Sequence, residues 1–214
     1  MKIAILGTGM VGVALGNKLI GLGHEVCMGS RTTDNPKAVE WALANGENAS
    51  NNTFFGAAAF AEILFNCTTG QASLEALQLA GRENLSGKVL IDVANPLDFS
   101  KGMPPSLSVC NTDSLGEVLQ RQFPDLKVVK TLNTMNCQLM VDPSLLPAET
   151  SIFMSGNDAQ AKAVTRKILE DFGWKDIIDL GDISTARGTE QLLPIWIRLM
   201  GTLGTPMFNF SIVK

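Results

Sequence analysis

Lys2-Ile3-Ala4-Ile5-Leu6-Gly7-Thr8-Gly9-Met10-Val11-Gly12 opens the chain, and its reading decides the fold. Lys2 to Leu6 is a short aliphatic run, the pattern of a strand covered on both faces. The turn that follows matches G-x-G-x-x-G at Gly7, Gly9 and Gly12. In such a turn the first glycine permits the tight bend, the second lets a pyrophosphate approach, and the third allows close helix packing. Beyond it, Val11, Leu15, Leu19 and Leu22 recur at spacings of four, four and three, one face of a helix that Gly23 ends. Residues 25–29 read as a second strand. Strand, glycine turn, helix and strand within about thirty residues make one βαβ unit, the context that gives the motif meaning. A helix opening at Met10 directs free N–H groups and roughly half a positive charge at the turn. Gly7, Thr8, Gly9, Met10, Val11 and Gly12 are therefore the expected contacts of a dinucleotide.

The end of the second strand indicates which dinucleotide. An NAD site places Asp or Glu about 20 residues past the glycines, against the ribose hydroxyls. Here Ser30 and Arg31 lie eighteen and nineteen residues past Gly12, followed by Thr32, with no carboxylate before Asp34. A guanidinium and hydroxyls suit a dianionic 2′-phosphate, so the expected cofactor is NADP(H). Lys37, one helical turn later, either adds a point charge or is a solvated helix lysine.

Strand and helix patterns continue to alternate. Asn35 and Pro36 read as the cap and first position of a helix to about residue 44, followed by a polar loop at 46–52. Buried strands are expected at 61–67, 88–94 and 127–132, with a helix near 73–80 and another capped near Asp113. Such alternation predicts a doubly wound α/β fold with a mostly parallel sheet. Past Asp142 come a strand at 151–155, a helix at 159–172, a strand at 176–180 and a helical run from about Thr185, with Pro194 starting or kinking a helix. The expected organisation is a nucleotide-binding domain at 1–142 and a small C-terminal α/β cap at 143–214 closing a cleft. Thr68-Thr69-Gly70, Asn95-Pro96-Leu97 after Ala94, and Asn133-Thr134-Met135-Asn136 end strands on the side where open α/β sheets bind ligands. Thr68, Thr69, Ala94, Asn95 and Pro96 are expected at the nicotinamide end of the cofactor. Asn133, Thr134 and Met135 are expected in an acceptor cleft beside it.

Composition narrows the function further. The 214 residues are 45% hydrophobic and 18% charged with a net charge of −4, an ordinary globular balance without a basic run. Nucleic acid and anionic membrane are thus not expected partners. The opening apolar run breaks at Gly7, too short for a signal-peptide core or a membrane span. Cys27, Cys67, Cys110 and Cys137 are widely spaced and the chain has one histidine, so no metal centre is expected. Cys27 and Cys67 fall in apolar runs, as buried thiols do in a reducing compartment, and the cytoplasm is the expected location. His24 reads as a turn residue at the far end of the sheet. No G-x-S-x-G elbow and no Cys-His or Ser-His pair can be placed at the strand ends, so no catalytic side chain is expected and the chemistry falls to the cofactor. Trp196, Leu199, Met200 and Leu203 form an apolar stripe, read as core or as a homodimer contact. Arg187 either binds an anionic acceptor tail or pairs with Glu190 one turn on, and the structural pairing is the favoured expectation.

Gly7-Thr8-Gly9-Met10-Val11-Gly12, Gly29-Ser30-Arg31, Asn95-Pro96 and Asn133-Thr134 together resemble the NADPH-dependent deazaflavin (coenzyme F420) oxidoreductase family, over most of the chain. The resemblance implies a Rossmann domain holding NADP, a shallow crevice for the deazaflavin, and hydride exchange between the two rings. It makes Ser30-Arg31 the 2′-phosphate clamp, helped by Thr32. Gly181-Asp182-Ile183, Ala186-Arg187 and Glu190 look like the family's segment where the C-terminal part closes over the cleft. A ferric-reductase domain of the same family, which pairs this fold with flavin, resembles the Rossmann half equally well. The small-molecule acceptor implied is a deazaflavin, a flavin, a quinone or a metal chelate. Imine and pyrroline-5-carboxylate reductases look similar over their N-terminal halves, but resemble longer chains with an all-helical dimerisation region. A non-enzymatic NADP sensor needs the same glycine turn. An enzyme should show a roomy apolar cleft built from Asn133 to Met135 and the C-terminal helix, whereas occlusion by Trp196 or Phe208 would favour the sensor.

Overall fold

The computed structural model describes residues 1–213. β1 (Lys2–Leu6), α1 (Met10–Gly21) and β2 (Glu25–Ser30) form the opening βαβ unit as the sequence predicts. In α2 (Pro36–Asn45) the Asn35 side chain accepts from the Lys37 and Ala38 N–H groups. The segment expected as polar loop instead contains a 3₁₀ turn and then β3 (Ala49–Thr53), paired in parallel with β2. Its Ala-Ser-Asn-Asn-Thr sequence carries no apolar alternation because backbone pairing at the sheet edge, not side-chain burial, holds it.

α3 (Phe54–Phe60) starts on the Thr53 cap and buries Phe54, Ala57 and Ala58. It occupies a stretch in which no element was expected. β4 (Ile63–Asn66), α4 (Gly70–Ala80), α5 (Arg82–Leu85) and β5 (Val89–Asp92) follow, the two strands shorter than their apolar runs. A small hairpin of β6 (Leu97–Asp98) and β7 (Ser106–Leu107) precedes α6 (Leu115–Gln122), whose cap is Ser114 rather than Asp113. The chain then runs through β8 (Lys127–Thr131), α7 (Cys137–Val141), β9 (Ser151–Gly156), α8 (Ala159–Phe172), β10 (Asp176–Gly181), α9 (Ala186–Gln191) and α10 (Leu193–Leu203). Pro194 lies in the first turn of α10, where its missing N–H costs nothing.

The strand order is β10-β9-β8-β5-β4-β1-β2-β3, all parallel except the antiparallel β8–β9 pair. The C-terminal strands, expected in a separate small cap, therefore extend the one sheet. β8 is buried from Val128 to Thr131 and would otherwise end the sheet with an open row of backbone groups; β9 pairs with that row. Alternate residues of β1 feed opposite cores, as the strand period of two requires. Ile3 and Ile5 join Leu15, Met28, Ile91 and Phe172 on one face, while Ala4 and Leu6 join Leu64, Leu77, Leu90 and Leu119 on the other.

A buried ionic cluster fastens the C-terminal helices to this sheet. Lys130 Nζ on β8 lies 2.7 Å from Asp92 Oδ2, 2.8 Å from Glu190 Oε1 and 2.5 Å from the Ala94 carbonyl. All three side chains are at most 1% exposed. Burial pulls the Lys130 pKa down, but the Asp92 and Glu190 carboxylates outweigh it, so the ammonium titrates above the ordinary lysine range. Glu190 also accepts the Leu115 and Gly116 N–H groups at the start of α6. Arg187 consequently pairs not with Glu190 but with Glu117, its Nε 2.8 Å from Oε2. The helical spacing that pointed to Glu190 could not reveal that a buried lysine claims that carboxylate.

Removing the ammonium would leave two carboxylates buried together. Lys130→Met is expected to destabilise the protein by about 3–5 kcal/mol in urea unfolding; a loss below about 1 kcal/mol, the level of an exposed pair, would contradict this reading of the cluster.

Candidate functional site

From β1 the chain turns one way to β2 and later returns to β4 on the other side, so a crevice opens at the carboxyl ends of β1 and β4. Gly7 has φ +122°, and a Cβ there would stand 2.7 Å from the Cys67 carbonyl oxygen. A Cβ on Gly12 would stand 2.3 Å from the Gly7 oxygen, so α1 sits directly on the turn. A Cβ on Gly9 would meet nothing within 4 Å. That side of the turn is open. The N-terminus of α1 has no side-chain cap and no acid in its first turn, and that of α4, which begins after Thr69, has no side-chain cap either. Of the other helices, α2, α3, α6, α7 and α8 are capped by side chains, whereas the short α5 and α9 and the proline-started α10 are not.

The crevice holds a cavity of about 410 Å³ lined by Gly7, Thr8, Gly9, Ser30, Arg31, Thr68 and Thr69, among others. Ser30 is buried, and its hydroxyl donates to the Thr32 carbonyl at 2.5 Å. Arg31 reaches across the cavity mouth toward Glu75 of α4, with Nη2 to Oε2 at 3.4 Å. The Thr32 side chain and the Lys37 ammonium are exposed and line neither this cavity nor the next. The Thr32 hydroxyl instead holds the Asp34 carboxyl below the usual carboxylate range. Met10 is 81% exposed and lies outside both cavities, whereas Gly12 is buried beneath the turn.

A second cavity of about 340 Å³ shares Thr68 and Thr69 with the first and is walled by Val11, Ala94, Asn95, Asn133, Met135 and Trp196. Asn95 and Asn133 join the ends of β5 and β8: Asn133 Nδ2 donates to Asn95 Oδ1 at 2.9 Å, and Asn95 Nδ2 donates to the Asn133 carbonyl at 2.8 Å. Leu132 just before them has φ +61°, a left-handed conformation that strains a leucine by about 1–2 kcal/mol and turns the chain sharply at this wall. Thr134 is buried away from the cavity. Pro96 is also outside it and serves the hairpin, its carbonyl accepting the Ser108 N–H at 2.8 Å.

Beneath the shared threonines runs a chain of hydrogen bonds. Thr68 Oγ1 donates to Asn66 Oδ1 at 2.7 Å, and Asn66 Nδ2 donates to Ser73 Oγ at 2.9 Å and Asp92 Oδ1 at 2.8 Å. Asp92 then meets Lys130. The floor of the site and the C-terminal helices are thus held by one network.

Several lining residues escaped the sequence reading. Gln71, Phe99 and Leu193 line the second cavity, and Glu75 the first, whereas Leu97, expected beside Asn95 and Pro96, does line the second. Gln71 follows an anticipated turn by one residue and could have been found; Phe99 on the hairpin carries no local signal. Trp196, read as core or dimer contact, lines the cavity and stacks on Phe208 with centroids 5.3 Å apart, leaving the space open.

Among the described residues that line the second cavity none has an ionisable side chain; they carry amides, hydroxyls and apolar groups. Burial pushes the Cys67 thiol pKa up, with Asp92 adding to the shift, so this half-buried thiol in the lining of the first cavity is held in its protonated form. The His24 ring contacts the N-terminal ammonium at 3.5 Å, in the turn before β2 and outside both cavities. Among the described residues no group of three or more His, Cys, Asp and Glu is placed to hold a metal ion, and no helix is long and apolar enough to cross a membrane.

Comparison with known proteins places this geometry. Residues 2–96 match the family model described as NADP oxidoreductase, coenzyme F420-dependent. A crystal structure from Arthrobacter sp. FB24, provisionally assigned as an F420-dependent NADP-reductase, is 53% identical, with full coverage of both chains and a TM-score of 0.96. Metalloreductase STEAP3 of Rattus norvegicus is 27% identical over 201 residues, 91% of this chain and 38% of that protein. The F420-dependent NADP reductase of Methanocaldococcus jannaschii is 27% identical over 119 residues, 55% of this chain and 53% of that protein. The matches to these two curated relatives span only 38% and 53% of their lengths.

The two glycines of the turn give opposite expectations. Gly9→Ala, whose methyl meets no protein atom, should keep stability within about 1 kcal/mol yet weaken NADP⁺ binding about tenfold or more in calorimetry, by obstructing the approach to the helix N-terminus. Gly12→Ala should lower the unfolding midpoint. Unimpaired nucleotide binding by Gly9→Ala would contradict the assignment of the turn.

Proposed function

The chain belongs to the coenzyme F420-dependent NADP oxidoreductase family, and on that premise we propose that its adjoining cavities hold NADP(H) and a planar electron acceptor side by side. The observation that carries this reading is the sharing of Thr68 and Thr69 between a cavity built for phosphate and one that is uncharged. The residues present fit the cofactor: the open side of Gly9 and the uncapped end of α1 leave a cradle that no protein atom fills. Gly7, Thr8 and Gly9 would hold the pyrophosphate, Ser30 and Arg31 the 2′-phosphate, and Thr68 and Thr69 the nicotinamide end. NADPH, when bound, supplies a hydride.

The chain's own part is then alignment and exclusion of water. Val11, Met135 and Trp196 offer apolar surface to a ring, and the Asn95–Asn133 pair fixes the wall between β5 and β8. None of the lining side chains is a carboxylate, imidazole or ammonium, so the cavity supplies no proton. That favours a deazaflavin or flavin-like ring, or a quinone, whose reduced form delocalises charge, over an imine, which needs protonation as it is reduced. The metalloreductase relative adds a metal chelate to the acceptors worth assaying. Leu193 and Trp196 bring residues 143–214 to the cavity as one wall, the role we assign to this C-terminal part. The open cavity beside Trp196 supports an enzyme rather than a sensor. We further place the protein in the cytoplasm, where its free thiols stay reduced, and read the exposed Ile195 and Leu203 of α10 as a homodimer contact.

Two measurements test the proposal. Arg31→Ala should lose its preference for NADPH over NADH by about tenfold in binding titrations, through one lost charge-assisted contact. The wild-type protein should oxidise NADPH, followed by nicotinamide absorbance, when given coenzyme F420 or FMN. An unchanged preference in Arg31→Ala, or no oxidation with any ring acceptor, would overturn it.

A further inference from the structure

Among the described residues that line the phosphate cavity, Glu75 is the one whose charge opposes the ligand proposed for it. It projects from the middle of α4, five residues past the helix start, and is 57% exposed. The neighbours one turn away on its own helix are Gln71 and Leu79, neither a cation. Its hydrogen-bond and ion-pair partner is Arg31, 66% exposed, at 3.4 Å across the cavity mouth. Such a pair is too exposed to matter much for folding. It stands, however, between the two elements that flank the Ser30-Arg31 end of the cavity.

We propose that Glu75 is a specificity-determining residue, a carboxylate that competes with the 2′-phosphate for Arg31 and so sets how strongly the site prefers NADP(H) over NAD(H). The proposal rests on the reading of this cavity as the NADP(H) site. A dianion that engages the Arg31 guanidinium must displace the Glu75 carboxylate and then remain close to it, whereas a 2′-hydroxyl carries no charge for Glu75 to repel. The penalty therefore falls on one dinucleotide and not the other. Because both side chains face solvent, the effect is screened by salt on the scale of the Debye length. Asp34, a carboxylate on the loop after β2 that lines neither cavity, provides the comparison.

Calorimetric titration of NADP⁺ and NAD⁺ into wild type, Glu75→Gln, Asp34→Asn and Arg31→Ala tests this without any turnover. In low salt Glu75→Gln should tighten NADP⁺ binding by about 3- to 10-fold, as expected for removal of one charge near a dianion in a solvated site. NAD⁺ binding should stay within about twofold, the gain should shrink in 0.5 M salt, and Asp34→Asn should change NADP⁺ affinity less than Glu75→Gln does. Unchanged or weaker NADP⁺ binding by Glu75→Gln would overturn the proposal, as would an equal gain for NAD⁺. Arg31→Ala separates the two levels: if it loses NADP⁺ preference while Glu75→Gln gains none, the cavity assignment stands and the role of Glu75 falls. If Arg31→Ala keeps the preference, the cavity assignment fails and takes this proposal with it.

Discussion

A helix that starts without a cap leaves N–H groups that something must satisfy, and the whole arrangement follows from where α1 does so. Its first turn rests on Gly7 and Gly12 so closely that no side chain fits between helix and strand. Its open side faces a cavity rather than protein. Water satisfies such groups adequately; an anion satisfies them better, because the helix dipole adds to the hydrogen bonds. The strand order then fixes the crevice, since β1 lies between β2 and β4 and the chain departs from it on both sides.

The second cavity depends on that placement and on a buried charge. Lys130 ties β8 to Asp92 of β5, to the Ala94 carbonyl and to Glu190 of α9. Burying an unpaired ammonium costs several kcal/mol, so these contacts are close to obligatory once Lys130 faces inward. Asp92 continues the network through Asn66 to Thr68, which lines both cavities. The position of α10, with Leu193 and Trp196 lining the second cavity, is thereby linked to the threonines at the junction of the two cavities. The family model covers the first cavity more fully than the second, because its match ends at residue 96, before Asn133, Met135, Leu193 and Trp196.

What could be read in the sequence was local. The β1-α1-β2 unit announces itself because its strands, glycines and helix are contiguous, and α8 because Asp158 and Gly173 bracket its periodic run. β3 could not be read, since Ala-Ser-Asn-Asn-Thr becomes a strand only through the neighbouring edge of β2. The continuation of the sheet into β9 and β10 was hidden for the same reason: pairing partners far apart in sequence leave no periodic trace. Of the site, the glycine turn and Ser30-Arg31 were legible from spacing. Trp196 had the signature of core, and Glu75 that of a solvated helix face, until the fold set each against a cavity. Glu190 was assigned the wrong partner because a three-residue spacing on one helix said nothing of a lysine on a distant strand.

The central claim, that the turn after β1 and the loop after β2 form one pocket for a nucleotide phosphorylated at the 2′ position, is tested most directly with the fragment that carries only those groups. Calorimetric titration with 2′,5′-ADP should give saturable one-to-one binding, tighter than that of 5′-AMP by about tenfold or more, as the extra charged contact to Arg31 requires, and prior saturation with NADP⁺ should abolish it. Equal affinity for the two nucleotides, or binding of 2′,5′-ADP undiminished by NADP⁺, would contradict the account.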